Sequence, residues 1–416
     1  LEEPPLFGDH PESRGGAEAG LIQTFKFRLY PTSQQESVMT KTVETCRRLY
    51  NDLLDDRIKN RTNAFEQKRH LTAYRKENKY LKQVHSQVLQ DVVFRLDKAF
   101  GSFFGGLSKF PRFRRNGGYN SFTYPQFGGF KLRDGKLCLS TIGRVKVILH
   151  REIEGQMKTC TIVRDIDQWY ACVTTEKDGA EPVPNDRLSI GVDLGVTAVA
   201  ALSDGRILPA PKLLSKSEVE IKSLQRSLSR KKKGSKNREK AKVSLEKAWR
   251  RLRNRRNDFT HKTSRFLTDN YGTIVFEDLK IPNMIKNHHL ASAILDACWG
   301  KTRRLTVYKA ERRGGRVILV EPRGTSQECS GCGRVVEKGL SERTHYCPFC
   351  GLELDRDVNA ARNILARGLE QARAEAEPLP VIRIGKFGRG SKKPAPFVVG
   401  SSRNLFLCPT VEAGVG

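Results

Sequence analysis

Two cysteine pairs, Cys329/Cys332 and Cys347/Cys350, stand between two acidic motifs, Phe276-Glu277-Asp278-Leu279 and Asp355-Arg356-Asp357-Val358-Asn359. Each pair has the C-x-x-C spacing that brings two thiolates to one ion, and fourteen residues separate the pairs. Four thiolates complete a tetrahedral shell and leave no open position for water or substrate, so the spacing predicts a structural zinc in a ribbon. Gly331, Gly333 and Gly351 beside the ligands suit the tight knuckle turns such a site needs. A closed metal module is thereby nested inside the stretch that carries the acids. The other cysteines, Cys46, Cys138, Cys160, Cys172, Cys298 and Cys408, are scattered, which suits reduced thiols and not a disulfide framework.

The 416 residues carry 75 Lys and Arg against 46 Asp and Glu, a net charge of +29. Such an excess calls for a long polyanion, nucleic acid first, and not a small-molecule substrate. No stretch approaches the roughly 20 apolar residues that span a bilayer, so no membrane partner is expected; the apolar run at 188–202 is interrupted by Asp193. Residues 1–20 are acidic, rich in Pro and Gly and without an apolar core, which reads as a flexible leader without a secretory signal, on a cytoplasmic protein.

Alternation predicts a strand over 22–30, with Pro31 and Ser33 turning into a helix over about 34–60. Val88, Val92, Leu96 and Phe100 recur every four residues in a second helix over about 84–104. Short strands and turns over 110–170 predict a small β-barrel or sandwich, and 181–185 a linker. A buried strand over 188–193 leads into a hairpin turning at Asp204-Gly205. A helical region over 212–268 breaks near Gly234-Ser235, followed by a strand at 273–276, a helix over 290–313 and a strand at 316–320. The last helix is expected from near Asp357 to 368–374, and the tail beyond 378 reads as disordered.

Asp193 and Glu277 each end an apolar strand, and Asp357 precedes the last helix. Each has an ordinary use: Asp193 to cap the turn at Gly195, Glu277 as a solvated strand end, Asp357 to cap the helix. Taken as a set they say more. Acids from two strand ends and a helix start can converge on one edge of an α/β sheet and hold two Mg²⁺ ions about 4 Å apart for phosphodiester hydrolysis.

The chain resembles the transposon-encoded TnpB nucleases and, more distantly, the type V CRISPR effectors, over about residues 22–370. The resemblance is carried by Phe-Lys-Phe-Arg-Leu-Tyr-Pro (25–31), Arg-Arg-Leu-Tyr-Asn (47–51), Leu-Asp-Lys-Ala-Phe (96–100), Phe-Pro-Arg-Phe-Arg (110–114) and Gly-Val-Asp-Leu-Gly-Val (191–196). It continues in Leu-Ser-Arg-Lys-Lys-Lys-Gly-Ser (228–235), Thr-Ser-Gln-Glu-Cys-Ser-Gly-Cys-Gly (325–333) and Asp-Arg-Asp-Val-Asn-Ala-Ala-Arg-Asn-Ile (355–364). It implies a multidomain α+β and α/β protein with a RuvC-like nuclease of RNase H fold, Asp193, Glu277 and Asp357 being its catalytic, magnesium-holding acids and Asp355 the second choice for the third. It also implies an RNA-guided DNA endonuclease, with a guide RNA from the transposon end and a double-stranded DNA target beside a short motif. The implied domains are a β-barrel wedge (21–33 and 106–184), a helical recognition domain (34–105), the nuclease (185–325 and 352–376) and the zinc ribbon (326–351), between the leader (1–20) and a disordered basic tail (377–416).

Residues 222–265 hold 18 Lys and Arg against 3 Asp and Glu, a local charge of +15. Leu245, Ala248, Trp249 and Leu252 supply a packing face, leaving Lys240, Lys247, Arg250, Arg251 and Arg255 for phosphates, with Lys231 and Lys232 beside them. Ten aromatics over 100–130 interleave with Lys109, Arg112, Arg114 and Arg115; the arginines are read as tracking phosphate. Asn51, Gln90, Ser121 and Thr123 are read as contacts to base edges beside the target. Two rivals stay open: a guide-directed repressor that no longer cuts, and a conventional transposase working without RNA. Loss of an acid would mark the repressor, and all three are present.

Overall fold

Phe25, Phe27 and Leu29 alternate with more exposed neighbours in β1 (Leu21–Tyr30), and this period of two buries all three side chains on one face. The computed structural model describes residues 21–126, 128–177, 182–339 and 342–376. They fall into two bodies, Leu1–Ala180 and Glu181–Gly416. The predicted leader and tail lie outside the described residues.

In the first body, α1 (Ser33–Asn60) starts at a Thr32/Gln35 capping box and α2 (Ala64–Glu77) at an Asn63/Glu66 box. The short α3 (Lys79–Lys82) and then α4 (Ser86–Phe104) follow. The apolar period marks α1 and α4 but not α2, whose buried residues are only Gln67 and Leu71; its capping box, not its apolar stripe, is its sequence signature. The strands β2 (Ser121–Tyr124), β3 (Phe130–Arg133), β4 (Lys136–Leu139), β5 (Gly143–Ile148), β6 (Gln156–Asp165) and β7 (Gln168–Lys177) join β1 in a seven-stranded antiparallel sheet of order β2-β6-β7-β1-β5-β4-β3. Its end strands β2 and β3 do not pair, so the expected barrel is an open half-barrel. The apolar faces of α1 and α4 share one core with the sheet.

In the second body, β8 (Ser189–Asp193), β9 (Ala198–Leu202) and β10 (Ile207–Pro209) form an antiparallel meander. The helices α5 (Leu213–Ser229) and α6 (Lys236–Asn270) form a hairpin, broken where expected: Gly234 is left-handed and Ser235 caps α6 by accepting from the Arg238 amide. Next come β11 (Thr273–Glu277), α7 (Ile281–Met284), α8 (His288–Ala297), α9 (Trp299–Glu311) and β12 (Arg316–Val320). The single helix expected over 290–313 is interrupted at Cys298, which adopts a left-handed conformation. A two-stranded ladder, β13 (Thr344–Tyr346) with β14 (Glu353–Asp355), precedes α10 (Arg356–Ala376).

The five-stranded sheet has order β10-β9-β8-β11-β12, with β11 parallel to both β8 and β12. Alternation along β11 divides its side chains between two cores: Ile274 and Phe276 pack with Leu267 and Trp299 from α6 and α9, while Val275 packs with Ile364 of α10. Among the described residues no helix is long and apolar enough to cross a membrane.

The seat of α10 depends on the absence of side chains. A Cβ added at Gly191 would lie 2.0 Å from the Ala361 carbonyl oxygen and 2.7 Å from the Leu365 amide nitrogen. Neither is a movable side-chain tip. Gly191→Ala should therefore cost about 3 kcal/mol of stability and lower the melting temperature, whereas an alanine at Gly205, with open space around it, should cost only the strain of its left-handed turn. Thermal melts of the two variants compare these costs directly.

A candidate acid site beside a cysteine metal centre

Val192 of β8 pairs with Phe276 of β11 in parallel register, so the last residue of each strand, Asp193 and Glu277, stands at the same edge of the sheet. The close contact of Gly191 with Ala361 supplies the third acid. Asp357 lies one helical turn before Ala361, and Asp193 two residues beyond Gly191. Burial pushes the Asp193 carboxyl up to about 8, and the charges of Glu277, Asp357 and Asp355 add to the rise against the opposing Arg356. The other three acids are thus near enough to disfavour ionisation of Asp193.

Glu277 is also raised by burial, opposed by a hydrogen bond from Thr325, whose Oγ1 donates to Glu277 Oε1 at 2.6 Å. The two aspartates before α10 divide their work. Asp355 Oδ1 accepts from the amides of Asp357 (2.9 Å) and Val358 (3.2 Å), so Asp355 is the helix cap. Asp357 sits in the first turn with Arg356 at 3.2 Å from one oxygen and Arg343 at 3.8 Å from the other; Arg343 also donates to Thr197 between β8 and β9. The three acids are not drawn tight around one point. Among the described residues the only group of three or more His, Cys, Asp or Glu whose ligand atoms all lie within 4.8 Å of one another is the four cysteines.

Cys329 Sγ lies 3.6 Å from Cys350 Sγ, and Cys332 Sγ 3.6 Å from Cys347 Sγ. Tetrahedral zinc with bonds of about 2.3 Å needs sulfurs about 3.8 Å apart, so this donor set fits zinc. The first cysteine of each pair is buried and the second exposed. Gly333 and Gly351 take positive φ and return their amides to the Cys329 and Cys347 carbonyls, closing the two knuckles as the sequence predicts. The stem of this module is fixed to α10 by a stripe spaced four residues apart. Asn359 donates to the Glu328 carbonyl and accepts from the Ser330 amide, Asn363 donates to the Thr325 and Glu328 carbonyls, and Arg367 holds both Glu328 carboxylate oxygens at 2.8 Å.

Several residues read as nucleic-acid contacts are used internally. Asn51 clamps the backbone of Arg114, donating to its carbonyl at 3.0 Å and accepting from its amide at 2.7 Å, so both ends of the amide are engaged. Ser121 and Thr123 are buried under Arg95, which donates to both hydroxyls while pairing with Asp91. Arg250 is buried, because α6 is covered by both α5 and α9. Of its expected apolar face, Ala248 and Leu252 are buried against α5 while Trp249 stays at the rim. Arg251 is exposed but ion-paired with Glu220. Arg112, Arg114, Lys231 and Lys232 are exposed, and the Arg114 guanidinium lies over the Tyr50 ring. Gln90 lines a cavity of about 270 Å³ with Lys68, Arg75, Lys76 and Lys82. The residues missed in sequence are Thr325, Arg343 and the Asn359/Asn363/Arg367 stripe; only the stripe's period of four, on a helix already expected, offered a signal.

Family profiles match three stretches of the chain: a probable transposase profile (OrfB_IS605) over 170–288, a Cas12f1-like TNB domain over 299–364, and a helix-turn-helix domain over 21–64. The last stretch is here a strand and a 28-residue helix reaching the first residue of α2. A solved complex of Cas12f1 with sgRNA and target DNA superposes with a TM-score of 0.52 at 14% identity, covering 83% of this chain and 98% of that one. The fold is therefore Cas12-like. A putative RNA-guided DNA endonuclease InsQ of Escherichia coli (strain K12) is 33% identical over 371 residues, 83% of this chain and 92% of the relative. A putative RNA-guided DNA endonuclease of Streptomyces pristinaespiralis is 34% identical over 389 residues, 90% and 96%. With likeness on that scale along almost the whole of both relatives, the chain belongs to the TnpB family.

Two predictions follow the geometry of the metal centre and the acids. Cys329→Ser removes a buried thiolate, and should lower both bound zinc and the yield of folded protein, read by metal analysis and gel filtration. Asp193 ionises near 4 when unfolded and near 8 when folded, so its contribution to stability is complete below pH 4 and is lost as pH rises through 8. In magnesium-free buffer, Asp193→Asn should melt above the wild type, by a margin that widens from pH 5.5 to 8 by about 1 kcal/mol per pH unit.

Proposed function

We propose that this chain is an RNA-guided DNA endonuclease that hydrolyses phosphodiesters at a RuvC-like site formed by Asp193, Glu277 and Asp357. The observation that carries this reading is the arrival of those three acids, from β8, β11 and α10, at one edge of the sheet. A meander of three strands followed by two parallel ones fits the RNase H topology, and family membership with proteins named as RNA-guided DNA endonucleases supports the substrate class.

Asp193, Glu277 and Asp357 would hold Mg²⁺. Two bound ions would supply an activated water and stabilise the departing oxyanion. The spread of the acids suits ligands shared between two ions better than a cage around one. Asp193 is the side chain that must give up its proton on loading, since burial and its acidic neighbours hold that proton on. Asp355 keeps the first turn of α10 closed and so keeps Asp357 in place. The four-cysteine centre is closed and takes no part in the chemistry.

In this reading a guide RNA from the transposon end pairs with one strand of a DNA duplex beside a short motif, and the excess of positive charge grips the backbones. The half-barrel is assigned as the wedge domain, α1 to α4 as the recognition domain, and the cysteine module as the zinc ribbon inserted before the third acid. A repressor that does not cut needs no three acids at one edge. A conventional transposase would carry no RNA.

Sequencing RNA that copurifies with the protein tests the guide: one discrete species is expected, and none would return the reading to a transposase. In a cleavage assay, Asp193→Ala, Glu277→Ala and Asp357→Ala should each lose at least about a hundredfold in rate while still binding guide and target. Asp355→Ala should still cut and lose about 1 kcal/mol of stability as a missing cap. Equal loss at Asp355 and Asp357 would overturn the division of roles between them.

A further inference from the structure

Thr325 is buried, at 1% exposure, at the end of the segment that leads from β12 into the cysteine module. Its Oγ1 lies 2.6 Å from Glu277 Oε1 and 3.1 Å from the Pro322 carbonyl oxygen. A hydroxyl has one proton to donate, and the shorter, charge-assisted bond is the stronger, so the proton goes to the carboxylate. Its backbone is held as firmly as its side chain. Asn363 Nδ2 donates to the Thr325 carbonyl at 2.8 Å and to the Glu328 carbonyl at 2.7 Å, and Arg367 Nη1 reaches the carbonyls of Glu321 and Arg323 on its N-terminal side. Asn359, two residues after Asp357, binds the same segment on either side of Cys329.

Resting on the acid-site reading above, we infer that Thr325 is a positioning residue for Glu277, and that the stem of the cysteine module is the mount that holds it. The hydroxyl fixes one oxygen of Glu277 and so sets the plane in which the other faces a cation. Because α10 holds the mount through Asn359, Asn363 and Arg367 and carries Asp357 at its own start, the second and third acids are set by one rigid unit, although their contacts come from different stretches of chain. Cys329, Cys332, Cys347 and Cys350 would hold a zinc that touches no acid but would keep the segment around Cys329 in the shape that Asn359 binds.

The test is a titration of Mg²⁺ against melting temperature, with cleavage rates alongside, on the full chain with its copurified RNA. Thr325→Val and Thr325→Ala both delete the hydroxyl, valine keeping the shape and alanine adding no methyl to a tight site; Thr325→Ser restores it. The two deletions should raise the half-saturating Mg²⁺ concentration by about tenfold or more and slow cleavage, with melting in the absence of Mg²⁺ little changed; serine should stay within about threefold of wild type. A half-saturation unmoved in the deletions, or moved as far in serine, overturns the proposal. So does failure of both deletions to fold, since the hydroxyl would then be serving Pro322 and the fold. Wild-type protein whose melting ignores Mg²⁺, or responds equally in Glu277→Ala, would sink the acid-site reading itself and not the role of Thr325 alone.

Discussion

The contact between the backbone of β8 at Gly191 and the backbone of α10 at Ala361 is the constraint on which the second body rests. Helices usually stand off a sheet by the depth of two side chains; here one of the layers is missing. That closeness lets a short acid in the first turn of the helix reach a short acid at the end of a strand. Gly368 repeats the device further along α10, where a Cβ would fall 2.5 Å from the side chain of Val275 on β11. With two points fixed on two strands, the helix can neither slide nor roll, and the stripe formed by Asn359, Asn363 and Arg367 is aimed at the stem of the cysteine module.

The electrostatics of the acid edge run against folding. Desolvation and mutual repulsion raise Asp193 and desolvation raises Glu277, a cost that a purely structural cluster would have no reason to carry. Cations are nevertheless near: Arg343 and Arg356 approach Asp357, and the field of Arg367 reaches Glu277. They moderate the repulsion without removing it.

The sequence made the acids and the cysteines legible for the same reason: both depend on local pattern. An apolar strand ending in a carboxylate and a C-x-x-C pair each announce themselves within a few residues. The resemblance ranked Asp357 ahead of Asp355, but that Asp355 and not Asp357 caps the helix was not visible, because a cap and a first-turn acid differ by two positions and in nothing else. The internal partners of Asn51, Ser121 and Thr123 were not legible because those partners, Arg114 and Arg95, lie 26 to 63 residues away and no short-range signal links them. The burial of Arg250 was not legible because a single apolar stripe was assumed for α6, whereas the helix is covered on two sides, by α5 and by α9. The half-barrel was foreseen as strands but not as an open sheet, since closure depends on whether the two edge strands meet.

The grip of Asn51 on Arg114 divides the long crossing between α4 and β2 into two shorter spans. A side-chain amide that offers one donor and one acceptor to a single peptide unit imitates the neighbouring strand of a sheet, and it pins that unit to α1 whatever the flanking segments do. Insertions or exchanges on the Phe104–Phe110 side can then alter the exposed rings there without shifting the turn at Gly117 or the start of β2. The crossing can therefore change in length on that side while the half-barrel stays the same, a freedom that comes from Asn51 together with Arg47, which donates to the same Arg114 carbonyl at 2.8 Å.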